Sequence, residues 1–196
     1  MEPPVERTRI RRLPDKAVRE RSALHAVLDA GMVAHVAFVH DGQPYAIPVA
    51  YGRDGDSVLF HGSSGSRLFR LLAGGAPGCL TVTLLDGLIL ARSAFEASMR
   101  YRCAMVLGSC TVVEDQAPAL RVISEHLTPG RWDMIRPPSR KELAATLVLR
   151  LPLAEWSLKV SDDWPETSPE DAGWYPPTGV IPIRTELGAF LPGEAP

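Results

Sequence analysis

Cysteine is scarce in this 196-residue chain: Cys79, Cys103 and Cys110 are the only three, and no C-x-x-C spacing occurs. An odd, scattered set argues against a disulfide framework and against a cysteine-based zinc site. It suits reduced thiols in a cytoplasmic protein. No apolar run reaches the roughly 20 residues that span a bilayer, and no secretory h-region opens the chain, so no membrane partner is expected. Neither sign of charge dominates, since 21 Lys+Arg against 23 Asp+Glu leave a formal net charge of −2. That balance gives no electrostatic reason to expect nucleic acid as a partner. The basic stretch "ERTRIRR" is short and reads as a solvated or subunit-contacting arm. Also missing are an H-x-x-x-H pair, a paired-carboxylate arrangement, a G-x-S-x-G elbow and Walker spacing. Hydrolase, zinc-enzyme and P-loop readings therefore lack their usual signatures.

What is present points to sheet. Hydrophobic residues make up 45% of the chain, enough for one real core. Residues 15–30 space Val18, Leu24, Val27 and Leu28 as an amphipathic helix ended by Gly31. The apolar run 32–39 meets His40-Asp41-Gly42, and Asp-Gly between two apolar segments is a strong hairpin signal. The next strand alternates, with Tyr45, Ile47, Val49 and Tyr51 on one face, and a second turn at Asp54-Gly55 leads into "SVLFHG". A helix over 66–74, strands over 79–91 and 101–114, and a polar helix over 116–127 follow. Residues 146–160 read as one long bent strand with Pro152 at an edge or bulge. After residue 160 the composition turns to Pro, Asp, Glu and Gly, which marks a tail wrapping the surface. The expected fold is mainly β (α+β): a closed or partly closed antiparallel barrel with short peripheral helices. The expected division is residues 1–160 as the barrel domain and 161–196 as the tail.

The stretch "FHGSSGSRLFRLLAGG" (60–75) is the chemically suggestive one. A strand runs into His61, then a loop with Gly62, Ser63, Ser64, Gly65 and Ser66, then Arg67 at the start of a helix. Helix N-termini attract anions, glycines allow close approach, serine hydroxyls donate, and an arginine can bind phosphate bidentately. The same pattern also describes a plain capped helix, and spacing alone leaves both readings open. His61 shares a strand face with Leu59 and reads either as a structural residue or as a functional group beside the loop. His126 reads as a helix cap, and His25 and His35 as core or interface residues.

The order of the motifs goes further. "HDGQPYAIPVAYGRDGDSVLFHGSSGSR", "VTLLDGLILARSAFEASMRYRCAMVLG", "PGRW" and "RPPSRKELAATLVLRLPL" together resemble the pyridoxamine 5'-phosphate oxidase-like flavin proteins. Within them the series resembles the FMN-binding split-barrel branch that includes the nitroimidazole-resistance proteins. The resemblance covers about residues 7–160. It implies a six-stranded split β-barrel and a homodimer with two FMN sites at the subunit interface. It places Ile47, Pro48 and Val49 along the flavin ring, and His61, Ser63, Ser64 and Arg67 around the ribityl phosphate and the open face, with Tyr51 as a further cofactor-binding residue. Arg92, Ser93, Met99, Tyr101 and Arg102 are implied as further pocket residues. The tail departs from the family, with acidic residues after Lys159.

Three functional expectations follow. The first is an FMN-dependent oxidoreductase acting on a small organic substrate, with a nicotinamide reductant and His61 as catalytic proton donor or anchor. The second is a haem protein on the same barrel with His61 as axial ligand. The third is a flavin carrier or sensor without turnover. No metal site apart from that haem alternative is expected.

Overall fold

The computed structural model describes residues 6–193. The chain divides into two compact units, Met1–Leu84 with Arg102–Val160, and Leu85–Tyr101 with Ser161–Pro196. In chain order the elements begin with β1 (Ala17–Val18), α1 (Arg21–Ala30), β2 (Ala34–His40), β3 (Gln43–Val49), β4 (Tyr51–Asp54) and β5 (Ser57–Ser63). Then come α2 (Arg67–Ala73), β6 (Pro77–Leu90), β7 (Ser98–Ser109), β8 (Thr111–Val112), α3 (Gln116–Leu127) and α4 (Arg140–Ala144). The last strands are β9 (Thr146–Pro152), β10 (Glu155–Ser161) and β11 (Gly179–Pro182). The protein is mainly β with few helices. The strands form a seven-stranded sheet in the order β1-β10-β7-β6-β2-β3, with β11 also on β6, and a four-stranded sheet in the order β4-β5-β9-β8. Every strand pairing for which a register is resolved is antiparallel. The strand count exceeds the six expected for a split barrel, because three segments that read as single strands each serve both sheets and β1 and β11 add two short strands. Residues 101–114 divide at Cys110 into β7 of the large sheet and β8 of the small one, and two other segments divide likewise.

The first is residues 43–54. It pairs with β2 as far as Val49, breaks at Ala50, and continues from Tyr51 as the partner of β5. The second is residues 146–160: β9 lies in the small sheet and β10 in the large one, separated by a turn at Leu153-Ala154. Crossing between sheets lets both enclose one core, in which Val36, Phe38, Tyr51, Phe60, Leu80, Val106, Leu149 and Leu151 are buried. The helix read over 15–30 is real only from Arg21. Ala17 and Val18 instead pair with Lys159 and Leu158, giving β10 an edge partner. The arm before them runs along the same strand: Arg7 is bonded to Glu155, and Lys159 Nζ donates to Arg12 O at 3.3 Å.

The two hairpin turns have the chemistry that their strands demand. Asp41 and Gly42 both take positive φ, 50° and 77°, as a type I′ turn requires. In the second hairpin Asp54 pairs with Ser57, so the loop is Gly55-Asp56 rather than Asp54-Gly55, with Gly55 at φ 56°.

The small sheet is covered on both faces. Val58, Phe60 and Leu149 point into the main core, whereas Leu59 and Val148 join Ala119 and Ile123 of α3 in a second cluster. The helix comes so close to β4 that a Cβ on Gly52 would stand 2.9 Å from Val122 O and 3.0 Å from Ile123 Cα. Both obstacles are backbone, so Gly52→Ala should destabilise the fold by roughly 1–3 kcal/mol, as overpacking does. Urea unfolding measures this, and a loss below about 0.5 kcal/mol would show that α3 shifts freely. At its C-terminal end α3 is tied down by polar groups: His126 Nε2 bonds Gly31 O at 2.6 Å. The Tyr51 hydroxyl donates to the same region, with Leu28 O at 2.5 Å and Gly31 O at 3.0 Å. His126 therefore bonds to α1's terminus instead of capping its own helix.

In the second unit β11 pairs with residues 87–90 of β6, and the chain before it is held by Arg100. Its Nε donates to Asp163 O at 2.8 Å, and its guanidinium lies 4.7 Å from the centre of the Trp164 ring. Trp174 remains largely exposed.

Candidate functional site

The residues singled out between His61 and Arg67 occupy one continuous segment but face different ways. Side chains alternate along β5, so His61 shares the face of Leu59 and looks toward α3, opposite Val148 of β9. Gly62 faces the other way: a Cβ there would stand 2.2 Å from the Phe69 ring of α2. Helices α2 and α3 thus lie on opposite faces of β5, and the histidine and the arginine belong to separate environments.

His61 lines a cavity of about 580 Å³. The other walls are Leu120, Ile123, Ser124, Leu127 and Thr128 from α3 and its end, and Trp132, Ile135, Arg136, Pro138 and Glu142 from the segment that follows. Apart from two hydroxyls and one ion pair, this lining is aliphatic or aromatic. Burial lowers the pKa of His61, favouring the neutral imidazole. Its Nδ1 is fully buried and has no hydrogen-bond partner among the described residues. Leaving a buried polar atom unpaired costs about 1–3 kcal/mol. A turn of the ring that brings this nitrogen into the cavity, where a ligand can reach it, removes the cost. Among the described residues no cluster of three or more His, Cys, Asp or Glu could hold a metal ion by itself.

The outer wall of the cavity is built by local hydrogen bonding. Glu125 accepts from the backbone N–H groups of Gly130 (2.6 Å) and Trp132 (3.2 Å), folding the chain back over α3. Ser139 and Glu142 form a reciprocal capping box that starts α4. The Ser-x-x-Glu spacing of residues 139–142 was the available sequence signal for this helix. Nothing comparable marks Trp132 or Ile135 as lining residues, because they are brought to His61 only by the packing of α3.

The Ser/Gly loop is less open to an anion than its composition suggests. Ser64 N–H donates to Ala145 O (2.9 Å), Ser66 N–H to Ser63 O (2.9 Å), and Gly65 N–H to Ser63 Oγ (3.1 Å). Three consecutive amides are engaged within the fold, and Ser66 provides no side-chain cap to α2. What remains free is Arg67. Its guanidinium is exposed, stands 4.8 Å from the centre of the Tyr45 ring, and makes no ion pair among the described residues. Tyr45 in turn stacks on Phe38, with ring centres 5.3 Å apart.

The other expected site residues divide. Ile47 and Pro48 are exposed on β3, two and three residues along from Tyr45. Val49 is buried. Tyr51 does not fit a cofactor-binding role: it lies wholly inside the core with its hydroxyl engaged, because the chain has by then crossed into the other sheet. Arg92, Ser93, Met99 and Tyr101 belong to the second unit, whereas Arg102 belongs to the first. Within that second unit Arg92 lies over the Tyr175 ring at 5.8 Å, and Ser93 Oγ accepts from Glu96 N–H at 3.3 Å.

Residues 20–160 match the family model described as pyridoxamine 5'-phosphate oxidase. The chain belongs to that family. Among solved structures, the FAD and haem binding protein from Mycobacterium smegmatis is 43% identical, with 91% of this chain and 89% of that one covered and a TM-score of 0.87. The flavocytochrome Anf3 from Azotobacter vinelandii is 39% identical, with coverage of 98% and 91% and a TM-score of 0.91. A candidate 5-nitroimidazole antibiotic resistance protein from Bacteroides thetaiotaomicron shares the fold at 21% identity, covering 74% of this chain and 86% of that one with a TM-score of 0.63. No curated protein sequence matches. Among the described residues no helix of this family member is long and apolar enough to cross a membrane.

Proposed function

We propose that this protein is a redox protein of the flavocytochrome type, holding haem in the His61 cavity and a flavin phosphate at Arg67. The observation that carries the reading is the buried, unpartnered nitrogen of a neutral histidine in the wall of a large apolar cavity. Haem needs an imidazole lone pair and apolar walls for the macrocycle. Relatives at 43% and 39% identity, described as a FAD and haem binding protein and a flavocytochrome, support it.

Each residue has a definite task in this reading. His61 offers a lone pair rather than a charge. Leu120, Ile123, Leu127, Trp132 and Ile135 offer the macrocycle apolar walls. Arg67, held over Tyr45, supplies a cation to the phosphate that FMN and FAD share, with Ser63 and Ser64 beside it and Ile47 and Pro48 toward the ring. Bound flavin supplies hydride acceptance and bound haem supplies one-electron and oxygen chemistry. The activity we propose is oxidoreduction of a small organic or oxygen-containing substrate, fed by a nicotinamide reductant, in a cytoplasmic homodimer. The absorbance spectrum of the purified protein tests the cofactor content. Flavin bands near roughly 370 and 450 nm together with a Soret band support the reading. Flavin bands alone, in protein supplied with hemin, overturn its haem half.

The dimer has its own test. Large apolar side chains are left exposed, including Phe95 and Met99 before and at the start of β7 and Leu88 and Leu90 on β6. Such exposure is a mark of an interaction surface. Light scattering should give twice the 21.3 kDa chain mass at micromolar concentration. A species of 21.3 kDa throughout would remove the dimer.

A further inference from the structure

The His61 cavity has one cationic residue in its lining, Arg136, and its neighbours hold it in place. The guanidinium is clamped: Nη1 donates to Glu142 Oε2 at 2.9 Å and to Pro137 O at 3.1 Å, and Nη2 donates to Glu142 Oε1 at 2.6 Å. Glu142 is itself fixed, since its Oε2 accepts from Ser139 N–H at 2.7 Å in the box that starts α4. The fork is therefore preorganised at the rim instead of being free to wave in solvent. An arginine has five N–H donors, and these three bonds leave two, including Nε–H, without a partner among the described residues. The side chain is 70% exposed, so those donors are accessible. Every other side chain in the lining is uncharged at neutral pH except Glu142, which is already committed to Arg136, and the apolar ones cluster on α3 and at Trp132 and Ile135. The Arg136–Glu142 pair thus carries the charge of the lining, and His61, Ser124 and Thr128 are its other polar groups.

Resting on the haem reading above, we infer that Arg136 is the carboxylate anchor of this cavity: it binds the ligand's propionate edge and so sets which way the macrocycle enters. Glu142 acts through it as a positioning residue, holding the guanidinium at the rim without occupying all its donors. The inference requires a ligand that is amphiphilic, with a flat apolar body and a carboxylate at one edge.

The experiment compares hemin with hemin dimethyl ester, which has the same ring and iron but no carboxylate charge. Soret titration of the full-length protein at low salt should give about tenfold tighter binding of hemin than of the ester. That is the lower end for a charge-assisted contact, because the site is exposed and already partly neutralised. Arg136→Gln should remove most of this preference by weakening hemin alone. Arg136→Lys keeps the charge and should retain part of it. Raising the salt concentration should shrink the preference of the wild type, a measurement that needs no variant. Equal affinity for hemin and ester in the wild type, with both showing a Soret band, would overturn the role of Arg136 while leaving the haem reading intact. Binding of neither would instead remove the haem reading itself. An Arg136→Gln variant that lost hemin and ester equally would show that the arginine supports the wall and not the ligand.

Discussion

Replacing His61 with alanine should abolish stable haem binding while leaving flavin binding within about twofold of the wild type. The reason lies in the opposite faces of β5. His61 looks toward α3 and its cavity, whereas Arg67 belongs to α2 and stands over Tyr45. Two cofactors held on opposite faces should respond independently, as sites without shared partners do. Loss of an outer-shell partner alone costs about 10–100-fold in metal affinity, so loss of the ligand itself should cost more. The fold should tolerate the change, because the alanine also removes the unpaired Nδ1. A pH dependence accompanies this. Ligation uses the neutral ring, and burial holds the His61 pKa below the usual 6.5. Haem affinity should stay level as pH falls to about 6.5 and decline only at lower pH, where the proton begins to compete. Titration of wild type and variant with hemin and with FMN at several pH values measures both effects. Parallel loss of haem and flavin in His61→Ala would mean that the two faces are coupled.

Arg67→Ala should weaken FMN and FAD by very roughly 10- to 150-fold and riboflavin hardly at all. A charge-assisted hydrogen bond to phosphate contributes about 1.5–3 kcal/mol, which converts to that range. The effect should fall on the side chain and not on the loop, since the amides of Ser64, Gly65 and Ser66 are engaged within the fold. Tyr45→Ala should give a smaller loss of the same pattern, because a cation–π contact of about 0.5–1 kcal/mol orders the guanidinium. Fluorescence quenching of each flavin by each variant separates the cases. If riboflavin weakens as much as FMN, Arg67 supports the fold and the loop is no more than the start of a helix.

The local signals in the sequence were dependable wherever one short stretch carries the physics. Asp41-Gly42 demands a hairpin, residues 116–127 form the polar helix expected there, and the family resemblance follows from motif order across the chain. The sheet change at Ala50 was not legible, since the alternation of Tyr45, Ile47, Val49 and Tyr51 runs straight through it. That is why Tyr51 read as a neighbour of Ile47 and is in fact a core residue with its hydroxyl on α1. The change at Leu153-Ala154 read only as a bend at Pro152, although the apolar phase shifts there from Leu149, Leu151 and Leu153 to Trp156, Leu158 and Val160. The site was half legible for a related reason. His61 and Arg67 stand six positions apart and read as one cluster, but strand alternation followed by a helix turns them to opposite faces. The cavity was invisible, because Leu120, Ile123 and Leu127 look like the buried stripe of any helix, and Trp132 reaches His61 only through Glu125's hold on the following turn.

Chemical rescue decides whether His61 is the haem ligand. His61→Gly should bind hemin weakly and without the ligated Soret spectrum, and added imidazole should restore that spectrum by taking the vacated position in the cavity. A glycine variant that binds hemin with the wild-type spectrum in the absence of imidazole would contradict the account, because some other group would then hold the iron.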